Sequence, residues 1–237
     1  MALPILEAPK YSVKLPSSGK TIEYRPFLVK EEKILLIAQE SENQREMIAA
    51  MKDVIKACTF NKLDPNTITS FDLEFLFLKL RAKSVGETSS VKLKCSECAT
   101  YVPVDINLED VEAPVVSHDP VNIMLTDTVG ITMRHIRVRD IANLTDEKKS
   151  KGDVVIDTTI ASIASIFDAN GVYPTDEATK DELATFVNSL NRSQMKQIED
   201  FIAASPKMSL NVKFTCANPE CKHENELTLS GAQAFFG

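Results

Sequence analysis

Four of the five cysteines in this 237-residue chain fall into two short, distant stretches. KCSECA carries Cys95 and Cys98, and TCANPECKH carries Cys216 and Cys221. Two thiolates a few residues apart let one tight turn aim both sulfurs at a single ion, and two such turns supply the four ligands of a tetrahedral zinc site. The spacings here are Cys-x2-Cys and Cys-x4-Cys. The second is the looser, so His223 stands as an alternative ligand to Cys221. Four protein ligands leave no open position for a water nucleophile, so the Zn2+ expected here is structural rather than catalytic. The competing readings are reduced free cysteines on neighbouring turns, or disulfides. Paired cysteines in a reducing compartment bind metal more often than they cross-link, which favours the ion. Cys58 sits on an apolar helical stripe and reads as a core thiol.

Each cysteine turn is flanked by strand-like sequence, as in a zinc ribbon. SVKLK and YVPVDINL bracket the first, and SLNVKFT and ENELTL bracket the second, a weak two-fold echo. Before them, YSVKLPSSGKTIEYRPF alternates around Ser17 to Gly19 and predicts a hairpin. LVKEEKILLIAQES and QREMIAAMKDVIKAC predict helices, the second with Met47, Met51, Val54 and Cys58 on one face. FDLEFLFLKLRAKSVGE predicts a third, started at Thr69 or Ser70 and stopped near Gly86. Its apolar residues surround most of its circumference, so it is either central or covered on one side by a partner chain. Further on, VNIMLTDTVGITMRHIRVRD reads as strands about a TDTVG turn, and LEDVEAP and HDPV read as surface connections. DVVIDTTIASIASIFDA reads as one helix striped by Ile156, Ile160, Ile163 and Phe167. TKDELATFVNSL opens with a capping box from Thr179 to Glu182, and SQMKQIEDFIAAS follows until Pro206.

The fold class expected is therefore α+β. An N-terminal hairpin with helices spans 1–90. A strand-rich, zinc-ribbon-like region combines 91–139 with 207–230, and a helical region covers 140–206, all within one compact domain.

Composition narrows the function. Apolar residues make up 43% and charged residues 26%, a globular balance, and the net charge of −7 argues against an electrostatic grip on nucleic acid. No run is long and apolar enough to span a bilayer, and MALPILEAPK lacks the pattern of a secretory signal. No nucleophile elbow, phosphate loop, dinucleotide fingerprint or His-Glu-x-x-His motif is present, so the expectation is a protein that is not an enzyme. His118 reads as a surface residue. MRHIRVRD puts His135, Arg137 and Arg139 on one strand face, either solvated or forming a contact stripe for an acidic partner. Arg25, Lys30, Arg81 and Lys83 lie near helix ends and are expected to cap or form ion pairs. Phe235 and Phe236, in the AFFG tail, dock either on their own domain or on a partner.

Several strings resemble the baseplate protein family of T4-type contractile-tailed phages: LPSSGKTIEYRPFLVKEEKILLIAQES, CTFNKLDP, FDLEFLFLKLRAKSVGE and LSGAQAFFG. The likeness is densest over residues 10–90. It implies a structural or assembly component of the baseplate hub, working in the host cytoplasm during assembly or in the virion baseplate, with hub and tail proteins as partners. It brings no catalytic residues, so the metal reading rests on this chain's own cysteines. On this reading Phe71, Phe75, Phe77, Phe235, Phe236, Arg137 and Arg139 are the candidate partner contacts, with no membrane or nucleic-acid partner and the oligomeric state open. The alternative is a zinc-ribbon module contacting nucleic acid or RNA polymerase. Such a module carries a basic stripe with interleaved aromatics. Here Lys92, Lys94, Lys213 and Lys222 are interspersed with Glu97, Glu220, Glu224 and Glu226, a mixture that favours scaffolding.

Overall fold

The structure is a computed structural model that describes residues 6–41, 43–117, 119–144 and 149–231. In chain order, β1 (Tyr11–Lys14) and β2 (Thr21–Tyr24) form a hairpin, followed by α1 (Val29–Glu40), α2 (Gln44–Cys58) and α3 (Ser70–Ser84). Next come β3 (Thr88–Lys94), β4 (Tyr101–Asn107), β5 (Asn122–Met124) and β6 (Gly130–Met133). Then follow α4 (Val138–Leu144), α5 (Lys151–Ala161), β7 (Ile163–Asp168) and β8 (Gly171–Pro174). The chain continues with α6 (Lys180–Asn188), α7 (Arg192–Ala203), β9 (Ser209–Thr215) and β10 (Glu224–Ser230). This is a mixed α/β chain with small antiparallel sheets.

It divides into two compact units. The first takes the chain up to Asp64, Phe71–Val116 and the part from Pro206 onward; the second takes Pro65–Ser70 and Ser117–Ser205. The strands around residues 122–133, expected beside the cysteine segments, thus group with the later helices.

In the first unit α3 is the centre. Leu76, Leu78 and Leu80 are fully buried, and Phe71, Phe75 and Phe77 are 4%, 6% and 8% exposed. Of the two readings of this all-round apolar helix, the structure has the central one. Phe71, Phe75 and Phe77 are covered by their own chain and offer no surface to a partner, which corrects that expectation. Buried Asp72 accepts hydrogen bonds from the amide and hydroxyl of Ser17, tying the β1–β2 turn to the start of α3. Buried Glu31 accepts from the Leu28 amide at the head of α1 and from Arg25 at 2.9 Å. Hairpins β3–β4 and β9–β10 lay their alternating apolar faces on α3. Val91, Leu93, Ile106 and Val212 pack there with Leu78, Ala82 and Met208. Leu108 and Val111 join the same core, so LEDVEAP is not the surface connection its charge suggested. Its apolar residues turn inward at a short 3-10 turn while Glu109 meets Lys79 and Lys83 outside.

The second unit holds a four-stranded antiparallel sheet in the order β5-β6-β7-β8. Ile131, Met133 and Ile163 pack with Ile198 of α7. Two expectations fail here. The helix predicted to run through Phe167 stops at α5, where the Ser162 hydroxyl bonds back to the Thr158 carbonyl. Ile163–Asp168 then pairs between β6 and β8. The strand predicted across MRHIRVRD ends at Met133. From Val138 the chain is helical, so Arg137 and Arg139 do not share a strand face. The capping box of α6 is present as expected: Thr179 and Glu182 exchange side-chain-to-amide hydrogen bonds.

Candidate metal centre

The two cysteine turns sit at the tips of hairpins β3–β4 and β9–β10. In each hairpin the residues beyond the last strand pair close on themselves. The Cys95 amide donates to the Thr100 carbonyl at 2.9 Å, and the Cys216 amide donates to the His223 carbonyl at 2.9 Å. In each, the residue after the second cysteine takes a left-handed backbone, φ 60° at Ala99 and 48° at Lys222. That conformation is uncommon for residues with a Cβ, and it reverses the chain sharply enough to bring the second sulfur back beside the first. CSEC and CANPEC therefore build equivalent corners despite their different lengths.

These corners bring the four sulfurs together. Cys98 and Cys216 are 3.4 Å apart, Cys95 and Cys221 are 3.9 Å apart, and all four sulfurs lie within 4.8 Å of one another. A tetrahedron of sulfurs at a zinc–sulfur distance of about 2.3 Å has edges of about 3.8 Å, so the cluster has the size such an ion requires. It is also sealed on its inner side: Cys95 and Cys216 are buried and pack with Val102, Val104 and Phe214. Cys98 and Cys221 are half-exposed. His223 is not part of the cluster; its contribution is the carbonyl that receives the Cys216 amide.

Sulfurs this close compete for protons, and their surroundings pull them apart. Hydrogen bonds from the Thr100 side chain and then its amide draw Cys98 down to about 6. The Cys98 amide leads the groups that lower Cys95, with burial opposing them. The Asn218 amide works in the same direction on Cys216, but burial and the bonds to Cys98 and Cys95 carry it up to about 12. Cys221 is also raised, by burial and by Cys98 and Cys95, against the His223 amide. Such a set suits a soft divalent cation, which takes four thiolates and releases the protons that remain.

The other candidates are dispersed. Cys58 is buried 3.7 Å from Arg25 and raised to about 11 by burial, an inert core thiol as expected. Arg137 and Arg139 converge with Arg134 on Asp176, at 3.2, 2.7 and 2.9 Å. Sequence reasoning found two of those arginines but missed Arg134 and the shared carboxylate, because β7, the first strand of the hairpin that leads to Asp176, was read as helix. His135 stacks on Phe201 with ring centroids 5.2 Å apart. Arg25 and Lys30 meet Glu31, and Lys83 meets Glu87 and Glu109, the ion pairs expected near helix ends. His118, Phe235 and Phe236 lie outside the described residues. Sequence reasoning also passed over α1, which exposes Val29 (80%), Leu36 (53%) and Ile37 (56%). A helix with little amphipathic contrast gives no pattern from which such a face is read. Among the described residues no helix is long and apolar enough to cross a membrane.

The class these features define is a mixed α/β protein in which two hairpins, far apart in sequence, are joined at their tips by a four-cysteine cluster. The chain belongs to the T4 bacteriophage base plate protein family, whose model matches residues 8–237. Its relatives include the baseplate hub assembly protein gp26 of Enterobacteria phage T4. That protein is 27% identical over 230 residues, covering 96% of this chain and 97% of the relative. No solved structure is significantly similar.

Proposed function

We propose that the chain is a structural or assembly component of a contractile-tail phage baseplate hub, acting through protein–protein contacts and without catalysis. The observation that carries this reading is the family match over nearly the whole chain, together with a relative of equal extent named for hub assembly. It acts in the host cytoplasm while the baseplate is built, or in the finished tail. The four cysteines hold a structural Zn2+ that fixes the two hairpins as one rigid body. The apolar surface exposed on α1 supports the interaction role, since side chains such as Val29, Leu36 and Ile37 are stable in solution but gain most when covered. The Phe235–Phe236 tail is a second proposed contact.

The test is co-expression with the hub proteins of the same phage. Leu36→Glu with Ile37→Glu leaves the fold intact, because neither side chain is in the core, and reduces co-purification at least tenfold. Phe235→Ala with Phe236→Ala has the smaller effect. A parent chain that captures no hub or tail protein under these conditions contradicts the assembly role.

A further inference from the structure

Asn225 is the second residue of β10 on the second hairpin, yet most of its side-chain bonds go to the first. Its Oδ1 accepts from the Ser96 amide at 2.9 Å and from the Ser96 hydroxyl at 3.0 Å. Its Nδ2 donates to the Cys95 sulfur at 3.5 Å and to the His223 carbonyl at 3.1 Å. The residue is 4% exposed. A primary amide has two donors and two acceptor sites, and all four are engaged. The orientation is forced: reversing the amide would face its oxygen toward the His223 carbonyl and the Cys95 sulfur, and its NH2 toward the Ser96 amide.

Simple interlocking of two hairpins does not require this residue type. An apolar side chain of similar size would fill the space, and buried amides are costly unless every group is satisfied. An amide supplies two further things at once. It holds the Cys95–Cys98 turn at a set distance from the second hairpin, and it directs an N–H at a ligand sulfur. Outer groups of this kind orient the ligands and disperse the charge that accumulates on four thiolates around one divalent ion.

We infer that Asn225 is the positioning residue of the metal centre, presetting the first cysteine turn and stabilising the Cys95 thiolate as a ligand. This rests on the zinc reading above. Asn225→Asp separates the two roles. It is close to isosteric and keeps an oxygen for Ser96, but it removes both donors and sets a carboxylate against the sulfur. Ser96→Ala removes only one bond to the amide.

The experiment loads purified parent, Asn225→Asp and Ser96→Ala with Zn2+ under reducing conditions and measures its release to a chromophoric chelator. Co2+ loading alongside reads the thiolate-to-metal absorption band. Asn225→Asp releases Zn2+ about 10–100-fold faster than the parent, matching the loss of metal affinity that changes to outer-shell partners typically cause, and its Co2+ band shifts. Ser96→Ala changes release less and leaves the band in place. Should Asn225→Asp fail to fold, Asn225→Leu, which fills a similar space but keeps neither the donor nor the acceptor, is used to read the band and the rate. Release and spectra equal to the parent's in Asn225→Asp, or in Asn225→Leu where that is used, would show Asn225 to be a packing residue and overturn the inference. A parent that takes up neither ion instead refutes the zinc reading beneath it.

Discussion

The two units of the chain keep their strands together by different means. In the unit around α3 every sheet is a two-stranded hairpin. In the other, four strands form one sheet against α7. An isolated two-stranded hairpin is marginal in water, whereas three or more strands with a packed face can hold. The cysteines follow that difference: four stand at the hairpin tips of the first unit, and none lies in the second. The second unit, without cysteines, is held by caps and ion pairs. Thr179, Asn191 and Ser150 cap its helices, and Asp176 and Asp157 gather basic groups from separate elements. Where the sheet is too narrow to hold its own register, as in β3–β4 and β9–β10, the sequence brings four potential ligands together at the hairpin tips. Where it is wide enough, side-chain caps and ion pairs suffice.

The sharpest separation of the two units comes from metal removal. Structural zinc contributes roughly 10–16 kcal/mol in small zinc-finger peptides. A strong chelator should therefore strip amide-exchange protection from β3, β4, β9 and β10 while β5–β8 keep theirs. Equal loss in both units breaks the comparison.

Gly130→Ala probes the second unit from inside its sheet. A Cβ at Gly130 would run into the Phe167 ring on the neighbouring strand. Overpacking of this kind costs about 1–3 kcal/mol, so urea unfolding should shift to lower concentration for the second unit, with metal retention at the cysteines unchanged. Thr179→Ala removes the α6 cap and is expected to cost about 1 kcal/mol, visible as a small drop in the same transition. The least effect is that of acid. Hydrogen bonds and charge from Arg134, Arg139 and Arg137 hold Asp176 well below the usual carboxylate range. Lys149 and Lys180 outweigh burial to lower Asp157. Carboxyls depressed by folding contribute stability that is fully present above their ordinary values and is lost as pH falls through the folded ones. The second unit should thus loosen progressively below about pH 4, and Asp176→Asn should lower its stability at neutral pH while flattening that dependence.

The sequence was most legible where the chemistry is local. Cys95, Cys98, Cys216 and Cys221 announced their meeting by spacing and flanking strands, and Thr179 with Glu182 announced a helix start. Legibility failed where tertiary pairing overrode a local pattern. Ile156, Ile160, Ile163 and Phe167 satisfy helical spacing, yet the last two belong to a strand. The signal that resolves this was present in Asn170-Gly171, a strong hairpin dipeptide, with Asp168 accepting from both amides. Val138 and Arg139 alternate like a strand but open α4, where backbone bonds from Ser70 to Ile136 and from Val138 to Ile68 end the extended path. Asn225 carried no sequence signal at all, because its partners Ser96 and Cys95 are about 130 positions away.

The link between the two hairpin tips of the first unit depends on the cysteine tetrad being a ligand set. Native mass spectrometry of the chain purified under reducing conditions addresses that directly. The account predicts one zinc per chain, lost together with the β3–β4 and β9–β10 protection when the metal is removed. A folded, metal-free chain whose four thiols at positions 95, 98, 216 and 221 all react freely with alkylating reagent would contradict it.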